Sequence, residues 1–170
     1  MQKHTFLLTT ALLTTTSFLH YASAADSTVI NIKANIVASS CAVETDTLNI
    51  DLGDVDVREL STGGKKSPWS DIKNIVINDC PAGVTSVKAT FSGTPGLSTS
   101  SFKSRGTARN VAVYLADDNP TETILQNGTT LELPVASGGV IFPVRACLYA
   151  EGIATVGTVV STVNVAFEYK

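Results

Sequence analysis

The chain has 170 residues, of which 44% are apolar and 16% are charged, a composition typical of one compact domain with a modest core. Its formal net charge is −3, and the nearest approach to a basic cluster is the pair Lys65-Lys66 in a Gly-rich stretch. A polyanion-binding protein needs clustered Lys and Arg to displace counterions, so we expect no nucleic acid as partner and interpret Lys65-Lys66 as a solvated loop.

The first 24 residues are typical of a secretory signal peptide. Lys3 lies in a short positive start, Phe6–Leu19 is an apolar stretch interrupted by threonines, and Ala22-Ser23-Ala24 is a small-residue cleavage site. A membrane-spanning helix needs about 20 predominantly apolar residues, and the threonines break this run. We therefore expect residues 1–24 to be removed and the mature chain to begin at Ala25.

The mature chain opens with an apolar arm. Residues of even number between Thr28 and Ile36 form one face, and they are Thr28, Ile30, Ile32, Ala34 and Ile36. Asn31, Lys33 and Asn35 lie on the other face, because successive residues of a strand point to opposite sides. An exposed isoleucine forfeits roughly 1.5–3 kcal/mol relative to a buried one. The arm therefore requires a groove, either in its own fold or in another molecule.

Strand signals dominate the rest of the chain. Short runs rich in Val, Ile, Thr and aromatic residues alternate with clusters of Gly, Pro, Asn and Asp, and no 3.6-residue apolar period is sustained. The predicted strands, in chain order, are Val29–Ser40, Leu48–Leu52, Ile72–Asp79, Val84–Ser92, Asn110–Ala116, Thr129–Leu133, Val140–Tyr149 and Thr158–Tyr169. Asn127-Gly128 is predicted to form a tight hairpin turn. The number and spacing of these strands predict an all-β, two-sheet sandwich.

A second alternating stripe lies at the end of the chain. Val163, Val165, Phe167 and Tyr169 occupy one face of the last predicted strand, which runs to the penultimate residue. We interpret this stripe as belonging to an ordinary strand of the sandwich.

The signal peptide predicts export to an oxidising compartment, where the three cysteines are expected to form one disulfide. We pair Cys41 with Cys80, because each closes a strand-like run, Asn31–Ser40 and Ile72–Asp79, and two adjacent strands bring such ends together. The bridge should stabilise the fold by roughly 4 kcal/mol. The remaining Cys147 is interpreted as a buried, inert thiol, with an intermolecular bridge as the alternative.

Four segments of the mature chain resemble the type 1 fimbrial subunit family of chaperone-usher pili, in particular its minor, adaptor-like subunits. Ala25–Ile36 is similar to that family's donor strand, and Val111–Asp117 is similar to a core strand. Ile77–Cys80 resembles the strand that carries the second cysteine of the family's single disulfide. Phe167–Lys170 resembles its closing motif with a penultimate tyrosine. The likeness spans the whole mature chain.

This resemblance implies an incomplete immunoglobulin-like sandwich that a donor strand from another subunit completes. The chain would divide into a signal peptide (1–24), a donor-strand extension (25–38) and a pilin domain (39–170). The donor residues would be those of the apolar arm, Thr28, Ile30, Ile32, Ala34 and Ile36. The family often has glycine at the position of Ala34.

The resemblance also implies partners and a place of action. A periplasmic chaperone would contact the groove strand at Val163, Val165, Phe167, Tyr169 and Lys170, and an outer-membrane usher would exchange it for the arm of the next subunit. The product would be a head-to-tail filament at the cell surface that supports adhesion.

The residues favour neither of two other classes of function. A carbohydrate-binding adhesin module would need an aromatic sugar platform, for which Trp69 is the only tryptophan, and we interpret that residue as a packing residue. An enzyme is not expected, because His4 and His20 both lie in the signal segment and the mature chain has no histidine for a nucleophile or metal. Two carboxylate pairs remain and are interpreted as solvated turn residues: Asp54 with Asp56, and Asp117 with Asp118. No cofactor is expected.

Overall fold

The computed structural model describes residues 30–34, 40–118 and 123–170. Residues 30–34 belong to an N-terminal unit of their own, in which they are neither helix nor strand and are exposed. The signal peptide lies outside the described residues, and so do residues 29 and 35–39 of the predicted strand Val29–Ser40. None of the described residues forms a helix that is long and apolar enough to cross a membrane.

The remaining described residues form two antiparallel sheets. The strands are β1 (Ala42–Val43), β2 (Lys73–Asn78), β3 (Ser86–Gly93), β4 (Phe102–Lys103), β5 (Val111–Asp117), β6 (Ile124–Leu125), β7 (Thr130–Pro134), β8 (Val140–Ala150) and β9 (Val163–Tyr169). The larger sheet has the order β1-β2-β8-β5-β4, with β6 paired to β5, and the smaller sheet has the order β7-β3-β9. A short 3-10 helix, Val57–Leu60, precedes β2. The all-β prediction is therefore confirmed.

The core lies between the two sheets and follows from alternation along the strands. In β3, Val87, Ala89 and Phe91 are fully buried while the residues between them are not. Phe142 of β8 is also fully buried, and its ring lies 6.1 Å from that of Phe167 in β9. Side chains of both sheets thus interdigitate, as in a β-sandwich.

Two local predictions were wrong. Leu48–Leu52 is not a strand, because it has no ladder partner among the described residues. Asn127-Gly128 does form a turn, closed by a 2.9 Å hydrogen bond from Thr129 N to the Gln126 carbonyl oxygen. It is not a hairpin, however, since the flanking strands β6 and β7 belong to different sheets. The turn carries the chain from one sheet to the other.

The cysteines behave as predicted. Cys41 and Cys80 form a disulfide that joins the residue before β1 to the residues after β2. Cys147 is a fully buried thiol in the middle of β8, opposite Tyr114 of β5.

The interpretation of Asp117 as a solvated turn residue was wrong. Its side chain is 2% exposed and accepts a hydrogen bond from the backbone N–H of Thr123. Asp118 is half-buried and forms a 3.2 Å ion pair with Arg145. Both carboxylates therefore hold the end of β5 in place.

Candidate functional site

The last strand is an unpaired edge. β9 forms a continuous ladder with β3 on one side, and on its other side it has no ladder partner among the described residues. Seven consecutive residues thus leave a row of backbone N–H and C=O groups open. Native proteins usually shorten, charge or cover such an edge, because it is a template for an added strand.

The core-facing side chains of β9 are incompletely covered. Val163, Val165, Phe167 and Tyr169 pack against the main core but stay half-buried, whereas the core-facing residues of the neighbouring β3 are fully buried. The difference arises at the edge of the small sheet, where one layer of side chains is missing. These four predicted groove residues do share one face.

A second unpaired segment packs, like β9, on the main core cluster and is incompletely covered. Leu48, Ile50 and Leu52 are half-buried and pack on the main core, while Asn49 and Asp51 between them are exposed. This alternation is that of a strand, although the segment has no ladder. We call the uncovered apolar surface bounded by β9 and by 48–52 the groove. Sequence reasoning missed 48–52 as a wall of the groove, although its apolar alternation was visible.

An apolar cavity of about 250 Å³ lies at one end of the groove. Val159, shortly before β9, lines it together with Val55 and Val57, shortly after 48–52. The small apolar cluster beneath it consists of Leu60, Val111, Leu148, Ala150 and Ala154. Val156 lies at the rim and is 80% exposed. The cavity can accept one apolar side chain of a segment that lies in the groove.

The chain before β9 is held by a neighbouring loop. Arg105 N donates to the Val160 carbonyl oxygen at 2.7 Å, and Ala108 N donates to that of Thr158 at 3.0 Å. The hydroxyl of Thr107 accepts a hydrogen bond from Thr158 N at 2.9 Å, and the hydroxyl of Thr158 accepts one from Thr107 N at 3.1 Å. This loop, 104–109, fixes the position at which β9 begins.

Gly106 allows this close approach, which gives a first prediction. A Cβ atom at Gly106 would lie 1.9 Å from the backbone oxygen of Thr158. We expect Gly106→Ala to lower the free energy of unfolding by about 1–3 kcal/mol, the usual cost of overpacking, as measured by urea denaturation. Gly83→Ala is the control for loss of a glycine, because the new methyl has open space around it and the φ of Gly83 is not positive. Equal costs for the two variants would contradict the tight packing of 104–109.

The other end of β9 is fastened to its own sheet. Lys170 N donates to the Ser86 carbonyl oxygen at 3.0 Å, and the Lys170 carbonyl oxygen accepts from Thr85 N at 2.6 Å. The Lys170 ammonium pairs with Glu132 at 2.6 Å, and this contact together with the hydroxyl of Ser86 lowers the pKa of Glu132. The C-terminal residue, which was predicted to contact a chaperone, is thus held at a defined position.

The predicted donor residues are only partly within the described chain. Ile30 and Ile32 are 77% and 87% exposed, and Ala34 is exposed as well. Thr28 and Ile36 lie outside the described residues. The described part of the apolar arm therefore offers two large unburied side chains.

Trp69 is engaged within the protein. The Arg145 guanidinium lies 5.0 Å from the centre of its ring and the Lys66 ammonium 5.8 Å. Its loop is bonded to β8, where Ser67 N donates to the Leu148 carbonyl oxygen at 3.0 Å. These contacts favour the packing role over a sugar platform. Lys66 is also 4.9 Å from the Tyr114 ring, so the interpretation of this basic pair as merely solvated was incomplete.

Comparison with known proteins places this arrangement in a class. The fold matches that of the P pilus rod subunit PapA, with a TM-score of 0.64 at 14% identity over 78% of this chain and all of that one. The chain therefore shares the fold of this rod subunit.

The chain belongs to the fimbrial protein family, whose model matches residues 30–170. It is 33% identical over 147 residues to the protein FimG of Escherichia coli K12, covering 86% of each chain. It is 32% identical over 150 residues to the fimbrial-like protein YdeR of the same strain, covering 86% of this chain and 87% of that one. The protein is therefore a structural subunit of a cell-surface pilus and not an enzyme, and its partners are other pilus subunits.

Proposed function

We propose that this subunit is assembled by donor-strand complementation, with its own arm (25–38) filling the groove of a neighbouring subunit. The observation that carries the proposal is the unpaired edge of β9 beside a half-buried apolar stripe. A strand added there satisfies the open backbone groups and covers the core at the same time. The arm has the matching chemistry, since its apolar face recurs at every second residue.

The energetic balance favours insertion of the arm into a groove. Each isoleucine of the arm that passes from water into the groove contributes roughly 1.5–3 kcal/mol. The described isoleucines, Ile30 and Ile32, are both exposed in the isolated chain. On the groove side, Val163, Val165, Phe167 and Tyr169 gain further burial, and the cavity near Val159 receives Ile36, the last of the five predicted donor residues.

The arm is proposed to pair antiparallel with β9. Its C-terminal end leads directly to Cys41. Cys41 is bonded to Cys80, and Thr85, shortly after Cys80, is hydrogen-bonded to Lys170, so Cys41 and Lys170 lie at the same end of the domain. A parallel arm would bring two such ends together and crowd the exit of the recipient's own arm. An antiparallel arm places the incoming domain at the opposite end, so the filament extends head to tail.

Passage to the surface is part of the proposal. The signal peptide would direct the chain to the periplasm, where a chaperone strand would occupy the groove at Val163, Val165, Phe167, Tyr169 and Lys170. An outer-membrane usher would then replace that strand by the arm of the next subunit. Covering the groove throughout export prevents aggregation through the open edge of β9.

A synthetic Ala25–Ala38 peptide tests the proposal. We expect the peptide to raise the melting temperature of a mature subunit that lacks residues 25–38, and the subunit without its arm to form no polymer. The rise follows from mass action, because the bound peptide increases the free energy of unfolding by about 2.7 kcal/mol at a concentration one hundred times its dissociation constant. A peptide of the same composition in scrambled order is the control. A subunit without the arm that remains a stable monomer and ignores both peptides would contradict donor-strand assembly.

A further inference from the structure

The two ends of the domain carry opposite charge. The disulfide end, defined as residues 41–46, 78–85 and 134–140, contains Glu44, Asp46 and Asp79 and no basic residue. The groove mouth, defined as residues 104–109 and 153–160, contains Arg105 and Arg109 and no acidic residue. All five of these charged residues are exposed.

The backbone N–H groups of the arginines at the groove mouth are hydrogen-bonded, whereas their guanidinium groups are available for contacts with another molecule. Arg105 N donates to the Val160 carbonyl oxygen, and Arg109 N donates to the hydroxyl of Thr155 at 2.9 Å. Neither guanidinium forms an ion pair with any residue of the described ranges. The apolar side chains of Ile153 and Val156 beside them are 71% and 80% exposed. A charged rim around exposed apolar residues is the usual composition of a protein interface.

The acidic residues at the disulfide end lie in or next to the segments that the Cys41–Cys80 bridge joins. Glu44 accepts a 2.6 Å hydrogen bond from the Asn78 side chain, which fixes it beside β2. Asp79 follows directly and adopts a positive φ of 53°, next to the disulfide at Cys80. Lys170 is nearby, but its ammonium is paired with Glu132. The disulfide end is therefore acidic at the place where the arm leaves the domain.

We infer that the groove mouth of one subunit binds the disulfide end of the next copy, with Arg105 and Arg109 facing Glu44, Asp46 and Asp79. This inference rests on the proposed antiparallel insertion, which brings these two ends together. Asp56, in the neighbouring wall of the cavity, is paired with Arg58, and Asp54 and Glu59 line an adjacent cavity beside Trp69. Opposite charges at such a rim mainly accelerate association and select the register of docking.

Charge reversal and its compensation test this contact in the full mature subunit. We expect Arg105→Glu with Arg109→Glu to slow polymerisation about tenfold at low salt, since steering by rim charges acts on the association rate. The difference should vanish at high salt, where the Debye length falls to about 3 Å at 1 M. Adding Glu44→Lys, Asp46→Lys and Asp79→Lys to the same chain restores complementarity and should restore the rate. Lys65→Glu with Lys73→Glu has the same change in net charge and is the matched control.

The outcomes separate this contact from donor-strand assembly itself. The Ala25–Ala38 peptide has no disulfide end, so it should stabilise the arginine variant as much as the wild-type subunit. Two results would overturn the inference while donor-strand assembly stands. The arginine variant could polymerise as fast as the lysine control, or it could stay slow after the acidic residues are changed to lysine. A peptide that fails to stabilise even the wild-type domain would overturn both.

Discussion

Replacing Cys41 and Cys80 together with alanine is expected to lower the free energy of unfolding by about 4 kcal/mol. The two cysteines are 39 residues apart, and the chain-entropy cost of closing a loop of that length gives this value. The free energy of unfolding of a typical domain is only about 5–15 kcal/mol in total. This domain also lacks one strand of its sandwich, so we expect the variant to be largely unfolded unless a donor strand is present.

Urea denaturation with and without the Ala25–Ala38 peptide measures this effect. The peptide should recover part of the lost stability, because it binds only the folded domain. Cys147→Ala is the control for loss of a cysteine, since Cys147 is fully buried and lies outside the Cys41–Cys80 bridge. A double variant as stable as Cys147→Ala would show that the disulfide contributes little to the folded state.

The strands of the core could be predicted because each carries its own signal. Val111–Asp117 and Val140–Ala150 are rich in apolar residues and are bounded by turn residues, and their observed limits differ little from the predicted ones. The disulfide could be predicted because both cysteines close strand-like runs. In each case, the information lies within a few neighbouring residues.

Features that depend on contacts between distant segments could not be predicted in this way. The alternation in Leu48–Leu52 predicted a strand, but pairing requires a partner at the right place, and no described segment lies there. The turn at Asn127-Gly128 is local, but whether it joins strands of one sheet depends on pairing elsewhere. Asp117 looked solvated because its neighbour Asp118 is also charged, whereas its burial follows from the packing of β5 against β8.

The groove could be predicted from the sequence only in part. The stripe Val163, Val165, Phe167 and Tyr169 was visible in the sequence, but its bottom-up interpretation was that of an ordinary strand. Only the sheet order shows that one edge of this strand is open. The resemblance to fimbrial subunits supplied what alternation alone does not contain, namely the hypothesis that a strand of another molecule pairs with this edge.

A single aspartate in the arm is expected to abolish assembly when it replaces Ile32. In the proposed complex, Ile32 is buried in the groove of the neighbour, where an unpaired carboxylate cannot be hydrated. Loss of the apolar contact together with the cost of burying the charge amounts to about 4 kcal/mol, which is roughly a thousandfold in the dissociation constant of the donor peptide. Fluorescence titration of a labelled Ala25–Ala38 peptide against the subunit without its arm measures this change.

The neighbouring Asn31 provides a control that differs only in the face of the strand. Asn31→Asp adds the same charge one residue away, but on the polar side that points away from the groove. We expect this variant to bind within about threefold of the wild-type peptide, since an exposed carboxylate contributes less than about 1 kcal/mol. Equal losses for Ile32→Asp and Asn31→Asp would mean that the arm does not insert with alternating faces. A loss confined to Asn31→Asp would place the apolar face outward and shift the register of the arm by one residue.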